Sequence, residues 1–422
     1  MNKRVIIVLL TLFSTWVQAQ NSITLEACRD SAVLQYPLTR QSFLLDQANE
    51  LKLKNLNKNY LPSMALNGQA SYQSDVTKVP IQNLPISGIE ELDKDWYKVT
   101  LDVNQIIYDG GVTKHQKVVE ESNLEIDKQN VEVELFKLKE RINNLYFSVL
   151  LIKENKQVLQ IHKETLEARL KDVQSAIDNG VLLASNGDIL KAEIITIEQA
   201  IDEAEISIST TIQVLNHFTG FALSEQTTFI KPEVSITLEQ PNINRPEYTL
   251  MSMQQQKLDA SKDLTLSRNL PKFSAFGQAG YGRPGFDMLK NEFTDFYIVG
   301  ARLNWNFYDW SKGRKEREIL DLQNQIIDTQ KETFTKNLNA DLTNKQAEIN
   351  KIVQKIARDR ELITLREKIT ASASSQLENG TITSSDYLIE LNAESKAKLD
   401  LQTHEIQLIK VKTDYLTATG NL

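Results

Sequence analysis

The stretch VEVELFKLKERINNLYFSVLLIKENKQVLQIHKETLEARLKDVQSAI, residues 131–177, places apolar side chains at heptad spacing. One series recurs every seven residues and comprises Val131, Leu138, Leu145, Ile152, Leu159, Leu166 and Val173. A second series, offset by four residues, comprises Leu135, Ile142, Val149, Leu170 and Ile177, and Lys156 and Lys163 interrupt the pattern. This double series predicts a coiled-coil seam along one face of a long helix.

Glycine and proline delimit that helix and a second one like it. Neither residue type occurs between positions 112 and 179, and neither occurs between positions 314 and 379. Each stretch therefore predicts a continuous helix about 100 Å long, at about 1.5 Å per residue. The second stretch repeats the heptad spacing at Leu342, Ile349, Ile356 and Ile363. Both helices need partner helices to bury their seams.

The two long stretches belong to an internal duplication. Three motifs recur 200 positions later: Ile107-Tyr108-Asp109 as Phe307-Tyr308-Asp309, Asn179-Gly180 as Asn379-Gly380, and Thr219-Gly220 as Thr419-Gly420. Nearer the start of each half the separation is 209, as for Leu61-Pro62 with Leu270-Pro271 and Gly68-Gln69-Ala70 with Gly277-Gln278-Ala279. The duplication predicts a first repeat at 20–220, a connector at 221–243 and a second repeat at 244–422.

The elements of each predicted repeat follow the same order. A starting helix comes first, then a β-hairpin (61–108 and 270–308), the long helix (112–179 and 314–379) and a returning helix (188–219 and 386–419). The starting and returning helices together nearly equal the long helix in length. We therefore expect each long helix to lie against two shorter ones.

The hairpin segments change from helical periodicity to alternation with a period of two. Tyr97, Val99 and Leu101 alternate with polar residues, and Val299, Leu303 and Trp305 do so in the second repeat. Segments of about ten residues with this alternation and aromatic ends are typical of transmembrane barrel strands, and these six side chains are the predicted lipid-facing set. The alternative is a soluble hairpin that packs one face on the helices.

The number of strands bears on how such a barrel closes. Four strands cannot form a closed barrel, and even about eight leave an interior only wide enough for side chains. An open sheet edge in lipid leaves unsatisfied backbone groups. A conducting pore therefore requires several chains, and three chains would supply twelve strands.

The N-terminus and the composition indicate an exported, acidic protein. Lys3 and Arg4 precede an apolar run and Val17-Gln18-Ala19, which predicts a signal peptide at residues 1–19. The single cysteine, Cys28, excludes an intramolecular disulfide framework and a CxxC metal site. Loss of Lys3 and Arg4 takes the formal charge from −8 to about −10. A net negative charge of this size does not favour binding to nucleic acid.

The duplication, the hairpins and several local motifs together resemble the TolC family of outer-membrane channels. The motifs are Tyr-Asp-Gly-Gly at 108–111, the Asn-Gly turns and the Thr-Gly pairs that end each half. The resemblance implies a homotrimer with a twelve-stranded barrel in the outer membrane of a Gram-negative cell, and with duplicated helical hairpins that form a periplasmic α-barrel. It also implies a periplasmic adaptor and an inner-membrane pump of RND, ABC or MFS type as partners, an equatorial position for the connector, and no cofactor.

The predicted hairpin tips lie where each long helix reverses. Glycine takes left-handed backbone conformations readily, so the Asn-Gly pairs are suited to end one helix and turn the chain. By the resemblance, the tips that contact the adaptor are Asn179, Gly180, Val181, Asn379, Gly380 and Thr381.

Asp188 and Asp386 follow the two tips and have two interpretations. A carboxylate near the start of a returning helix caps it and favours the positive end of the helix dipole. The resemblance instead implies that aspartates here narrow the periplasmic aperture and take part in gating. The arginine that the family places near the second tip is absent, and the first tip is expected to carry two extra residues. Without that arginine, Lys191 is the candidate cation to pair with these aspartates in a gate.

The remaining motifs favour a channel over an enzyme. The GxGxxG pattern at 280–285 contains Pro284 and is followed by a strand-like segment, so a nucleotide site is not expected. His115, His162, His217 and His404 are far apart and form no catalytic or metal-binding motif. The alternative function is a periplasmic coiled-coil scaffold or adhesin without a channel.

Overall fold

A computed structural model describes residues 22–76, 92–236, 242–288 and 290–421. The predicted signal peptide at 1–19 lies outside the described residues. The chain divides into two compact units. The helical unit contains residues up to 41, 130–249 and 332 onward, and the sheet unit contains residues 42–129 and 250–331. Each unit contains parts of both sequence repeats.

Long helices and short strands alternate along the chain in two similar series. The elements are β1 (Ser22–Ile23), α1 (Leu25–Gln35), α2 (Thr39–Asn57), β2 (Ser63–Tyr72), β3 (Asp95–Tyr108), α3 (Val112–Asp178), α4 (Ala184–Thr219), β4 (Thr228–Phe229), α5 (Pro246–Ser267), β5 (Lys272–Arg283), β6 (Thr294–Asn304), α6 (Lys312–Glu378) and α7 (Ser384–Thr419). The two long helices each contain 67 residues. The returning helices α4 and α7 begin four and two residues before their predicted starts.

The sheet unit is built around one antiparallel sheet in the order β2-β3-β5-β6. The β2–β3 and β5–β6 hairpins follow the sequence alternation. In addition, β3 pairs with β5, so the hairpins of the two repeats form a single sheet. Ion pairs such as Lys52–Glu120 at 3.0 Å and Lys262–Asp321 at 2.6 Å join the helices of this unit.

The core of the helical unit follows the heptad pattern. Leu166 and Val173 are buried with Leu190 and Leu377 in one apolar cluster, and α6 and α7 contribute a second cluster around Leu342, Ile349 and Tyr415. The two interruptions of the heptad have a local explanation. Lys156 and Lys163 make ion pairs of 2.7 Å with Glu205 and Glu198 of α4, so they bind the partner helix through charge.

A small parallel pair of strands ties the start of the chain to the connector. β1 pairs with β4, which lies inside the predicted connector. The buried hydroxyl of Tyr146 lies 2.8 Å from the carbonyl oxygens of both Ile23 and Ile230. Within the described ranges, no helix has the length and apolar character needed to cross a membrane.

Candidate functional site

The sheet gathers most of its large exposed apolar side chains on one face. Strand register places Leu66 opposite Leu101, and Leu101 opposite Ala279. Because side chains alternate along a strand, the residues at matching positions of the four strands share that face. Its large exposed members are Met64, Leu66, Tyr72, Tyr97, Val99, Leu101, Phe273, Tyr281, Tyr297, Val299 and Leu303. A continuous exposed apolar face of this extent indicates contact with lipid or another apolar surface.

Five of the six residues predicted to face lipid lie on this apolar face. Trp305 lies outside the strands, because β6 ends at Asn304. Trp305 is nevertheless exposed, and its ring lies 6.0 Å from that of Phe307.

The opposite face carries a row of polar side chains across three strands. Asp102 on β3 accepts hydrogen bonds of 2.5 Å from the side-chain amides of Asn67 on β2 and Gln278 on β5. Lys98 and Arg302 also lie on this face, as the register shows. The face can therefore line an aqueous space while the other face contacts an apolar one.

Both outer strands of the sheet have a free edge. Among the described residues, β2 pairs only with β3 and β6 pairs only with β5. Each outer strand thus presents a row of backbone N–H and C=O groups with no strand partner. Such edges favour pairing with strands of another chain.

The two hairpin tips have the same backbone geometry. Gly180 and Gly380 have φ values of +74° and +69°, in the left-handed region that favours glycine. At the first tip the N–H of Gly180 bonds to the carbonyl of Ile177 at 2.9 Å, and the N–H of Val181 bonds to that of Ala176 at 2.8 Å. This is the Schellman pattern that closes a helix C-terminus.

Side chains complete these turns and leave apolar groups on the surface. The amide groups of Asn179 and Asn379 donate hydrogen bonds of 2.8 and 2.7 Å to the carbonyls of Ser175 and Ser375. The Thr381 hydroxyl donates a hydrogen bond of 2.9 Å to the Gln376 carbonyl. At the first tip, Val181 and Leu183 are exposed.

Asp386 caps α7. Its backbone N–H bonds to the Thr383 hydroxyl at 3.2 Å, and its carboxylate accepts the Thr383 backbone N–H at 2.9 Å, which together form a capping box. Hydrogen bonds from the hydroxyl and the backbone N–H of Thr383 hold the pKa of Asp386 below its ordinary value. The capping interpretation of this residue is therefore confirmed.

Asp188 occupies a different position from the one expected. It is the fifth residue of α4, where it makes no cap, and its side chain is 74% exposed with Lys191 at 3.5 Å. Since α4 begins at Ala184 and α7 at Ser384, the offset of 200 continues through the tips. The expectation of two extra residues at the first tip is wrong, and the counterpart of Asp386 is Asn186.

Two residues that no local sequence pattern singles out connect the tips. Asn186 accepts the backbone N–H of Ser384 at 3.0 Å, so one hairpin completes the N-terminus of a helix in the other. Arg169 of α3 is largely buried, bonds to Glu378 of α6 at 2.9 Å and lies 5.2 Å from the ring of Tyr387. Arg169 thus joins α3 to α6 and α7 in the tip region. It comes from α3, and not from the segment after the second tip where the resemblance implies an arginine.

The segment with the GxGxxG pattern is a strand and a turn. Residues 280–283 belong to β5, and the Arg283–Pro284 peptide is cis. In the part of the chain that the structure describes, no group of histidine, cysteine and acidic residues has the arrangement to hold a metal ion.

Comparison with known proteins finds matches only at the level of structure. A scan against protein-family models and a search of curated proteins both return no match. The outer membrane protein VceC of Vibrio cholerae matches with a TM-score of 0.68 and 13% identity, over 94% of this chain and 96% of VceC. The outer membrane channel MtrE of Neisseria gonorrhoeae, in its open state, gives 0.66 and 14% over 94% and 88% of the two chains.

The CmeC outer membrane channel of Campylobacter jejuni matches with a TM-score of 0.63 and 13% identity, over 94% of this chain and 85% of CmeC. The chain therefore has the fold of these outer-membrane channels. The predicted combination of duplicated helical hairpins with four antiparallel strands is confirmed, and so is the resemblance to the TolC-like fold.

Proposed function

We propose that this chain is one subunit of a homotrimeric outer-membrane channel, the exit duct of a tripartite efflux pump or of a type I secretion system. The strands cross the outer membrane of a Gram-negative cell, and the helical hairpins form a periplasmic tunnel. Substrates delivered by an inner-membrane pump and a periplasmic adaptor pass through it without chemical change, and no cofactor takes part.

The two-faced sheet is the observation that carries this proposal. Val299 is 75% exposed on the apolar face, whereas Asp102 is held by amide donors on the other. A barrel wall between lipid and water requires this division of side chains. A soluble hairpin packed on helices would bury its apolar face.

The free edges of β2 and β6 support the oligomeric part of the proposal. Pairing β6 of one chain with β2 of the next satisfies both edges and removes them from lipid. Three chains of four strands give twelve strands, enough to enclose more than side chains.

The hairpin tips support a role at the periplasmic end. The exposed apolar residues of the first tip, Val181 and Leu183, offer a surface for an adaptor. Asp188 and Asp386 from three chains would supply six carboxylates near one aperture, with Lys191 beside Asp188. The adaptor and a pump of RND, ABC or MFS type are the partners that such a duct requires.

Fractionation followed by planar-bilayer recording tests the proposal. The full chain should be extracted from the outer membrane as a trimer that conducts ions after reconstitution. A stable monomer in detergent, or a trimer without conductance, would contradict the duct. Release with the soluble periplasm would instead support the coiled-coil scaffold or adhesin.

A further inference from the structure

A cavity of about 330 Å³ opens mainly on the polar face of the sheet, near the connection between β5 and β6. Its lining includes Gln69 and Ser71 of β2, and Trp96 and Lys98 of β3 together with Tyr97 from the apolar face. Arg283 to Phe286, Met288 and Phe296 also belong to the lining. In volume it falls within the range of small-molecule sites, which is about 300–1,000 Å³.

Aromatic rings define the shape of this cavity. Phe296 lies across Gly280, where an added Cβ would overlap its ring, so the glycine leaves room for the ring to lie flat on the sheet. Phe286 packs against Phe296 with ring centroids 4.6 Å apart. The Trp96 indole is held by a hydrogen bond of 3.2 Å from its Nε1 to the Asp93 carbonyl. A flat ring entering the cavity thus meets aromatic surfaces in fixed positions.

The lining of the cavity includes two cationic side chains, Lys98 and Arg283. Lys98 lies 5.1 Å from the centroid of Phe296 and forms no ion pair with any described residue. Arg283 is neutralised by Asp93 at 2.9 Å and Asp95 at 2.7 Å. Among the described residues that line the cavity, none is acidic. Lys98 is therefore the cation of the lining that has no ion-pair partner among the described residues, while Asp102 on the same face acts on it at longer range. Side-chain amides and a hydroxyl belong to the same lining.

We infer that this cavity binds small organic anions that carry an aromatic ring, such as aromatic carboxylates. The ring would stack on Phe296 and Phe286, and the carboxylate would pair with Lys98. A flat cation would meet the same rings but would be repelled by the ammonium group. An uncharged ring would lose the charge-assisted contact.

The proposed function places the polar face inside the duct, and the role of the cavity rests on that placement. A substrate that passes through a pore must bind well enough to enter and weakly enough to leave. The cavity would be a transit site at which aromatic anions are favoured over aromatic cations. The cavity therefore indicates aromatic anions as a substrate class of the channel.

Binding can be measured without conductance. We would titrate the purified full chain in detergent, at low salt, with 4-fluorobenzoate, and follow the fluorine resonance by NMR. Uncharged 4-fluorobenzyl alcohol and cationic 4-fluorobenzylammonium have the same ring. The anion should bind saturably and about tenfold more tightly than the alcohol, as expected for a charge-assisted contact. The cation should bind most weakly.

Lys98→Gln and Arg302→Gln form a matched pair for this titration. Arg302 is a cation on the same face, but it lies over Phe276 at 5.0 Å and does not line the cavity. Lys98→Gln should reduce anion affinity to that of the alcohol, whereas Arg302→Gln should leave it unchanged. Equal affinity for the three probes, or equal loss in both variants, would overturn the inference. A trimer that conducts but shows no saturable binding would overturn the site and leave the duct standing.

Discussion

The side-chain oxygen of Asn186 accepts a hydrogen bond of 3.0 Å from the backbone N–H of Ser384, and this contact joins the two helical hairpin tips of one chain. Ser384 is the first residue of α7, so its N–H has no acceptor within its own helix. The group is also buried. Asn186 therefore satisfies a donor that water does not reach.

The first prediction concerns this contact. Asn186→Ala leaves a buried N–H without an acceptor, which should cost about 1 to 3 kcal/mol in local stability. Hydrogen exchange of the Ser384 amide should accelerate relative to amides in the middle of α7. Asn186→Asp keeps a side-chain oxygen at the same position and should preserve slow exchange. Equal exchange rates in all three proteins would show that the contact does not stabilise the tips.

The second prediction is a pH dependence centred on His162. This histidine is buried between the hairpins, with Nε2 3.0 Å from Asn392 Oδ1, while the Asn392 amide donates to Glu193 at 2.9 Å. Burial lowers the pKa of His162 below 6.5, although Asn392, Glu193 and Glu394 favour the charged form. Lys398 also lines the adjoining cavity.

Because the folded protein disfavours protonated His162, the unfolded chain binds more protons at this site as the pH falls below 6.5. Stability is then complete above that value and declines in acid. His162→Gln should show a smaller loss of thermal stability between pH 7.5 and pH 5.5 than the wild type. His217→Gln, which removes an exposed histidine of α4, is the control and should retain the wild-type loss. If all three proteins lose the same stability, His162 does not contribute to acid sensitivity.

The features that the sequence predicted are those encoded by consecutive residues. The heptad residues Leu166 and Val173 are buried as their spacing indicated. Gly180 and Gly380 reverse the chain with positive φ, which glycine adopts readily because it has no Cβ atom. Periodicity and turn chemistry act over a few residues, so a single sequence carries both signals.

The features that escaped prediction depend on distant partners or on weak caps. Arg169 and Glu378 are 209 positions apart, and no local pattern pairs them. The start of α4 was misplaced because its N-cap, Leu183, makes no side-chain hydrogen bond, so the sequence lacks the usual polar signal there. Asp188 then had the residue type expected at a helix start, but it lies one turn inside the helix.

The third prediction concerns the apolar face of the sheet. Val299 lies in the middle of β6, whereas Leu303 is one residue from its end. Val299→Arg should therefore impair membrane insertion by about 2 to 4 kcal/mol, the cost of arginine near the bilayer midplane on the lipid face. Ile298→Arg, one position away on the opposite face, should assemble nearly normally. Heat-modifiable trimer measured by gel electrophoresis distinguishes them, and equal damage would contradict the barrel.

The fourth prediction separates charge from capping at the tips. Asp386 is the N3 residue of the capping box with Thr383, and the side-chain oxygen of an Asn at this position can accept the same Thr383 N–H. Asp188 makes no cap at all. The double variant Asp188→Asn with Asp386→Asn should therefore assemble as a trimer while removing six carboxylates. If those groups surround an aperture, they attract cations and oppose anions.

Planar-bilayer recording in a salt gradient measures this effect. The double variant should show lower cation selectivity and weaker block by divalent and trivalent cations than the wild type. Lys191→Gln removes the cation 3.5 Å from Asp188, so it should change selectivity in the opposite direction. Each single aspartate variant then reports its own share of the effect. Unchanged conductance, selectivity and block in an assembled trimer would leave Asp386 as a helix cap only and would remove Asp188 and Lys191 from the gate.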